Sequence, residues 1–256
     1  MGFMTADAPA VPNPLQPVDE NWQRGLAIVA HPDDLEFGAA AAIARWTRQG
    51  KEIVYVLLTS GEAGIDGMDP GEAGPTREQE QRASAAIVGV SQVDFLGLPD
   101  GVLEYGVPLR RDLSRVIRMY KPDVVITNNF RESWDEAGTA LNMSDHIVTG
   151  RAVLDAVRDA ANRWVFREQI GEGLEKWGGV RQVWAFGSPL AKHAADTTDT
   201  FHLGVRSLEA HAAYLRGLGS GDFNVEEFLE GFSRQTGNRL GVTYAAGFEV
   251  FRLSLY

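Results

Sequence analysis

The chain has no cysteine among its 256 residues. That excludes a disulfide framework, a thiol nucleophile and any thiolate metal site, so a metal would have to be held by histidine and carboxylate. Cations are also scarce: 24 Lys and Arg stand against 35 Asp and Glu, a net charge of −11. This balance argues against nucleic acid or an anionic membrane surface as a partner. No apolar run approaches the roughly 18 residues that span a bilayer. The first residues lack the basic start and apolar middle of a secretory signal. With 44% hydrophobic residues and a mean hydropathy of −0.18, the expectation is a soluble cytoplasmic protein. Histidine is rare enough to weigh position by position: His31, His146, His193, His202 and His211 are all there are.

Several features stand out against that background. Four of the 11 prolines fall at Pro9, Pro12, Pro14 and Pro17. Residues 1–23 therefore read as an extended arm, with a contact to a second copy of the chain as the associated expectation. Residues 24–256 are of a length that suits one domain with its own core. Apolar runs at 26–30, 52–59, 93–98 and 124–127 predict strands, and the segments between them predict helices at 39–50, 76–89 and 108–118. Thr76 and Gln79 have the spacing of a capping box for the second of these helices. Further strands are predicted at 164–166, 180–186 and 244–253, and helices at 144–162, 204–218 and 225–232. Alternating strand and helix gives an α/β fold: a Rossmann-like, doubly wound, mostly parallel sheet flanked by helices.

The chemistry gathers at the end of the first of these strands, in His31-Pro32-Asp33-Asp34. Open α/β sheets place their ligands at carboxyl strand ends. His31 and Asp34, three apart on a helical first turn, share a face and could grip one metal ion, while Asp33 points elsewhere. Taken alone, the spacing also fits a helix start in which Asp33 and Asp34 cap and His31 is a buried histidine. Two rim loops follow strands, at 60–75 and 128–144. The second leads into Ser144-Asp145-His146, so His146 is the natural third ligand for a site that needs three protein donors and an open position. A dinucleotide site is disfavoured, because the first strand-to-helix turn holds His-Pro-Asp-Asp where glycines are required.

The string His-Pro-Asp-Asp after an apolar strand resembles the signature of the LmbE-like, or PIG-L, family of metal-dependent N-deacetylases. The likeness extends over residues 25–251. It includes Thr59-Ser60-Gly61-Glu62-Ala63-Gly64, Arg77 with Arg82, Phe95-Leu96-Gly97-Leu98-Pro99-Asp100-Gly101, and Asp145-His146. The resemblance implies an LmbE-like fold and a ligand set of His31, Asp34 and His146, with Asp145 supporting it. It implies zinc as the cofactor, iron(II) being the alternative, and Asp33 as the base that takes a proton from water and returns it to the leaving nitrogen. The implied substrate is a small-molecule amino-sugar conjugate of the N-acetylglucosamine type, with Glu62, Arg77 and Asp100 around the sugar. Arg131 of the second rim loop joins them as a candidate. One position departs from the pattern: many relatives carry a histidine where this chain has Met143, and methionine donates no hydrogen bond. Arg131, His193 or His211 would then have to substitute. Two alternatives stay open at this point: an amidase of a larger acyl or cysteinyl group, and a weakly catalytic homologue that binds the conjugate.

Overall fold

The computed structural model describes residues 13–219 and 223–253. In chain order the strands are β1 (Gln16–Pro17), β2 (Arg24–Val29), β3 (Glu52–Leu57), β4 (Gln92–Phe95), β5 (Val124–Asn128), β6 (Gln182–Phe186), β7 (His193–Asp196) and β8 (Ala245–Arg252). The helices are α1 (Asp34–Gly38), α2 (Ala40–Arg48), α3 (Pro70–Ile87), α4 (Val107–Tyr120), α5 (Ser144–Ala161), α6 (Arg167–Gly171), α7 (Phe201–Glu209), α8 (Ala212–Gly217) and α9 (Val225–Leu240). They build one sheet in the order β1-β7-β8-β6-β5-β2-β3-β4. The pairs from β4 across to β6 are parallel, and β8 runs antiparallel to both β6 and β7.

Strand β2 shows why the sheet is covered on both faces. Its Leu26 and Ile28 enter one apolar layer with Leu113, Ile117 and Val153 of α4 and α5. Its Ala27 and Val29 enter the other, with Ile43 and Trp46 of α2, Trp184 and Phe248. Side chains alternate across a strand, so a run with no polar residue fits only between two layers. From β2 the chain winds outward to β3 and β4, then returns to lay β5 on the other side of β2. The order reverses between β2 and β5, and their carboxyl ends open a crevice there. Both rim loops lead to it.

Several elements differ from expectation. The helix expected over 39–50 is α2, and an unexpected short helix, α1, precedes it; Ala39, with φ −127°, separates the two. Helix α3 begins at Pro70, not at Thr76; Asp69 caps it by accepting the Gly71 N–H at 2.9 Å, and Pro75 lies inside it. The helix expected over 204–218 is divided between α7 and α8 at Ala210 and His211, and α9 continues well past Phe232 to a left-handed Gly241. No strand forms at 164–166. There the buried Arg118 guanidinium donates to the carbonyls of Val165 and Phe166, and of Asn162 just before them, and holds the backbone in a turn. Residues 13–23 of the expected arm lie on their own chain. Gln16–Pro17 pairs with β7, Trp22 is buried among Trp46 and Trp184, and residues 1–12 are outside the described residues.

Candidate active site

The crevice is closed at its base by a bond between the two strand ends: the Asn128 side-chain carbonyl of β5 accepts the Ala30 N–H at 3.1 Å. The chain then turns sharply. Asp33 adopts φ 85°, in the left-handed region, before α1 begins. Neither Asp33 nor Asp34 caps the new helix with its side chain at the first N–H groups. Asp34 instead divides its oxygens: Oδ2 accepts the His31 N–H at 2.8 Å, and Oδ1 lies 2.9 Å from His146 Nε2.

His146 arrives from the start of α5, 115 residues further on, and its Nε2 stands 3.3 Å from His31 Nδ1. One donor atom from each of His31, Asp34 and His146 lies within 4.8 Å of the others, and each residue is only 6% exposed. Two imidazole nitrogens and a carboxylate, with no thiolate, fit a divalent cation that keeps one position open to solvent. The other nitrogen of each imidazole is held from behind. Asn142 Oδ1 lies 3.0 Å from His146 Nδ1, so that nitrogen donates and Nε2 keeps its lone pair. His31 Nε2 lies 3.1 Å from Asp100 Oδ1 and 3.3 Å from Asp145 Oδ2.

His31, Asp100 and Asp145 also meet the distance requirement for a metal site. Their carboxylates, however, are already committed to loop backbone: Asp145 accepts the N–H groups of Gly101 and Leu103, and Asp100 accepts that of Ala63. These two acids orient His31. Burial raises both, yet His31 and the backbone donors outweigh it and hold Asp100 and Asp145 below the usual carboxylate range. Burial lowers His31, but Asp34, Asp100 and Asp145 together push it up to about 12. A cation at Nδ1 must displace that proton, so metal affinity is expected to rise with pH.

Asp33 is not the free carboxylate that its place in the sequence suggested. Its Oδ2 accepts from Arg77 Nη2 at 2.8 Å, and its N–H donates to Gln81 Oε1 at 2.8 Å. Burial and the neighbouring Asp34 carry its pKa up to about 7, with Arg77, His211 and His31 acting against them. Arg77 in turn is 2% exposed and also donates to the carbonyls of Pro32 and Gly61. A Cβ at Gly61 or Gly64 would collide with Arg77 Nη1, so the glycines of this loop let the backbone wrap the guanidinium.

The four substrate candidates are therefore placed differently from expectation. Arg77 is buried beneath Asp33 and does not line the open crevice. Asp100 stands behind His31. Glu62 accepts the Asp100 N–H at 2.8 Å and ties the two loops together. Arg131 pairs with Glu249 on β8 and lies over the Phe130 and Phe251 rings. Of the proposed substitutes at Met143, His193 sits on β7, separated from β5 by β6 and β8. His211 is fully buried, 3.6 Å from Glu36. Met143 itself is 55% exposed at the mouth.

Asn142, Gln81 and Trp134 are the residues that sequence reasoning passed over. Trp134 meets the His146 ring edge-on at 5.6 Å. Only the His-x-x-x-Asn spacing, read backwards from His146 across the start of α5, could have pointed to Asn142. Replacing Asn142 with alanine is expected to weaken metal binding about 10- to 100-fold with the fold intact, measured by competition with a fluorescent chelator.

The chain is similar to several known proteins. Over 188 residues the chain is 28% identical to a diacetylchitobiose deacetylase of Thermococcus kodakarensis, covering 73% of this chain and 68% of that protein. It is 30% identical over 145 residues to a probable N-acetyl-α-D-glucosaminyl L-malate deacetylase 2 of Bacillus anthracis, covering 54% of this chain and 61% of that one. The N,N′-diacetylchitobiose deacetylase of Pyrococcus horikoshii, solved with its inhibitor MPG, superposes with a TM-score of 0.81 at 24% identity, over 95% of this chain and 87% of that one. Residues 26–157, from β2 through most of α5, match the family described as PIG-L: GlcNAc-PI de-N-acetylase, and the chain belongs to that family.

Proposed function

We propose that this protein is a zinc-dependent hydrolase that removes an N-acetyl group from an N-acetylglucosamine-type conjugate. The observation that carries this reading is the convergence of His31, Asp34 and His146 on one point, with Asp33 beside them and a pKa near neutrality. Zinc held by that set would supply Lewis acidity at the amide and a more acidic water. The chain's own groups do the rest. Asp33 takes a proton from the attacking water and returns it to the leaving nitrogen, a task suited to a carboxyl whose pKa lies close to working pH. Arg77 keeps that carboxylate facing the crevice. Asp100 and Asp145 hold the His31 ring, and Asn142 holds His146. The relatives named above support the substrate class, since their names specify acetylated glucosamine conjugates. Among the described residues no helix is long and apolar enough to cross a membrane.

The test is acetate release from N-acetylglucosaminides, chitobiose derivatives included, by zinc-loaded protein before and after exhaustive chelation. Release that disappears on chelation and returns with zinc is expected. A second reading draws on Met143, which offers no hydrogen bond to a developing oxyanion. If the protein only binds the conjugate, calorimetry will show an amino sugar bound with no acetate released, and the hydrolase reading fails.

A further inference from the structure

A second polar cluster lies behind Asp33. Glu36, Gln81, Ser84, Ser207 and His211 are each no more than 2% exposed, and they come from α1, α3, α7 and the α7–α8 junction. Gln81 stands at its centre. Its Oε1 accepts the Asp33 N–H at 2.8 Å, and its Nε2 donates to Glu36 Oε1 at 3.0 Å. Glu36 Oε1 also accepts from Ser84 Oγ at 2.7 Å, and Ser84 Oγ lies 2.7 Å from Ser207 Oγ. His211 completes the surroundings, its Nε2 3.6 Å from Glu36 Oε2.

The residue held by this cluster is the one with a left-handed backbone. At φ 85°, Asp33 has its Cβ crowded against its own peptide, a conformation that persists only where neighbours enforce it. We propose that Gln81 is a positioning residue that enforces it, anchoring the Asp33 N–H to the buried Glu36 carboxylate so that the Asp33 side chain faces the crevice. The inference rests on the reading of Asp33 as the proton-transferring group. An amide suits the place because the two contacts demand opposite characters within one side-chain terminus: an acceptor toward a peptide N–H and a donor toward a carboxylate. Glutamate would oppose Glu36 with a second negative charge. Methionine fills the volume and makes neither bond. Without the anchor the turn relaxes, and displacement of a reacting group by about 1 Å is worth a factor of about 100 in rate.

The experiment is a double-mutant cycle on the zinc-loaded protein, measuring kcat, KM, zinc per chain and thermal midpoint for Gln81→Met, Asp33→Asn and the pair. Gln81→Met alone is expected to lower kcat about 100-fold with KM and zinc content unchanged. In the Asp33→Asn background it is expected to cost less than about twofold, because no carboxylate remains to be positioned. Gln81→Asn, which keeps the amide one methylene short of its partners, guards against a folding defect and is expected to show the same pattern. An equal loss in both backgrounds, or a loss that follows zinc content or folded fraction, overturns the positioning role. An Asp33→Asn protein as fast as wild type overturns the reading of Asp33 itself, and that outcome is separately visible in the cycle.

Discussion

Replacing Asp33 with asparagine is expected to lower kcat by about two to four orders of magnitude, the usual span for loss of a general base. Zinc content should be unchanged, since Asp33 donates no atom to the His31, Asp34 and His146 cluster. Asparagine preserves the shape and still accepts from Arg77, so lost packing cannot explain a large effect. The pH profile supplies a second signature. Burial holds the Asp33 pKa up at about 7 against Arg77, and only the ionised form accepts a proton. The rate of the wild-type enzyme should therefore rise with pH across the neutral range. A cation bound alongside favours the ionised form and displaces the limb to lower pH. In Asp33→Asn this limb should be missing from whatever rate remains. Steady-state acetate release between about pH 5 and 9, with zinc quantified in the same samples, checks both signatures.

Replacing Arg77 with alanine is expected to be strongly destabilising. The guanidinium and the Asp33 carboxylate are 3% and 7% exposed as side chains. Breaking such a pair leaves an uncompensated buried charge and costs about 3–5 kcal/mol. Two carbonyls, of Pro32 and Gly61, lose their donor as well, and the Tyr214 ring loses the cation 4.4 Å from its centre. In a domain of this size that corresponds to a fall in thermal midpoint of roughly 10 °C. The direction of the pH effect also follows. Asp33 has a pKa of about 7 in the fold against 3.8 ordinarily, so its contribution to stability is full below about pH 4 and is lost as pH rises through about 7. Arg77 limits that loss. Without it the Asp33 pKa rises further, the destabilisation should be worse at pH 8 than at pH 5, and residual activity should shift to alkaline pH. Arg77→Lys keeps the charge but not the fork that reaches Pro32, Gly61 and Asp33 together, and should lie between the two. Calorimetric scans at both pH values decide the matter.

How much of this was legible from the chain depended on whether the signal was local. His31, Asp33 and Asp34 sit side by side at the end of an apolar run, and a strand followed by a helix turns them to one rim. The doubly wound order likewise follows from alternating segments. The roles of Asp100 and Arg77 are not local. Asp100 reaches His31 because two loops are latched by reciprocal bonds, Glu62 to the Asp100 N–H and Asp100 to the Ala63 N–H. An arginine in a helix reads as solvated, and Arg77 is buried only because the loop after β3 and Tyr214 of α8 close over it. The start of α3 was misplaced for a different reason. Pro75 reads as a breaker and Thr76 as a cap, yet Asp69-Pro70 is the stronger pair, with proline in the first turn where its missing N–H costs nothing. Strand β7 carries His-Ala-Ala-Asp, with no β-branched residue to announce it, and exists because β8 and β1 pair with it on either side. At 164–166 the reverse holds: Trp-Val-Phe has strand composition, but Arg118 binds the Val165 and Phe166 carbonyls and holds them in a turn.

The measurement that bears most directly on the proposed centre is zinc per chain by elemental analysis, after dialysis against zinc and removal of the excess, for wild type and for His146→Ala. His146 and His31 are 115 positions apart in sequence, and their facing nitrogens are 3.3 Å apart in the fold. About one zinc per wild-type chain is expected, falling to a small fraction in His146→Ala while the thermal midpoint of the zinc-stripped proteins stays similar. Wild-type protein that stays empty under these conditions, or a His146→Ala protein that retains its full zinc, would contradict the assignment of one metal centre built from the segment after β2 and the start of α5.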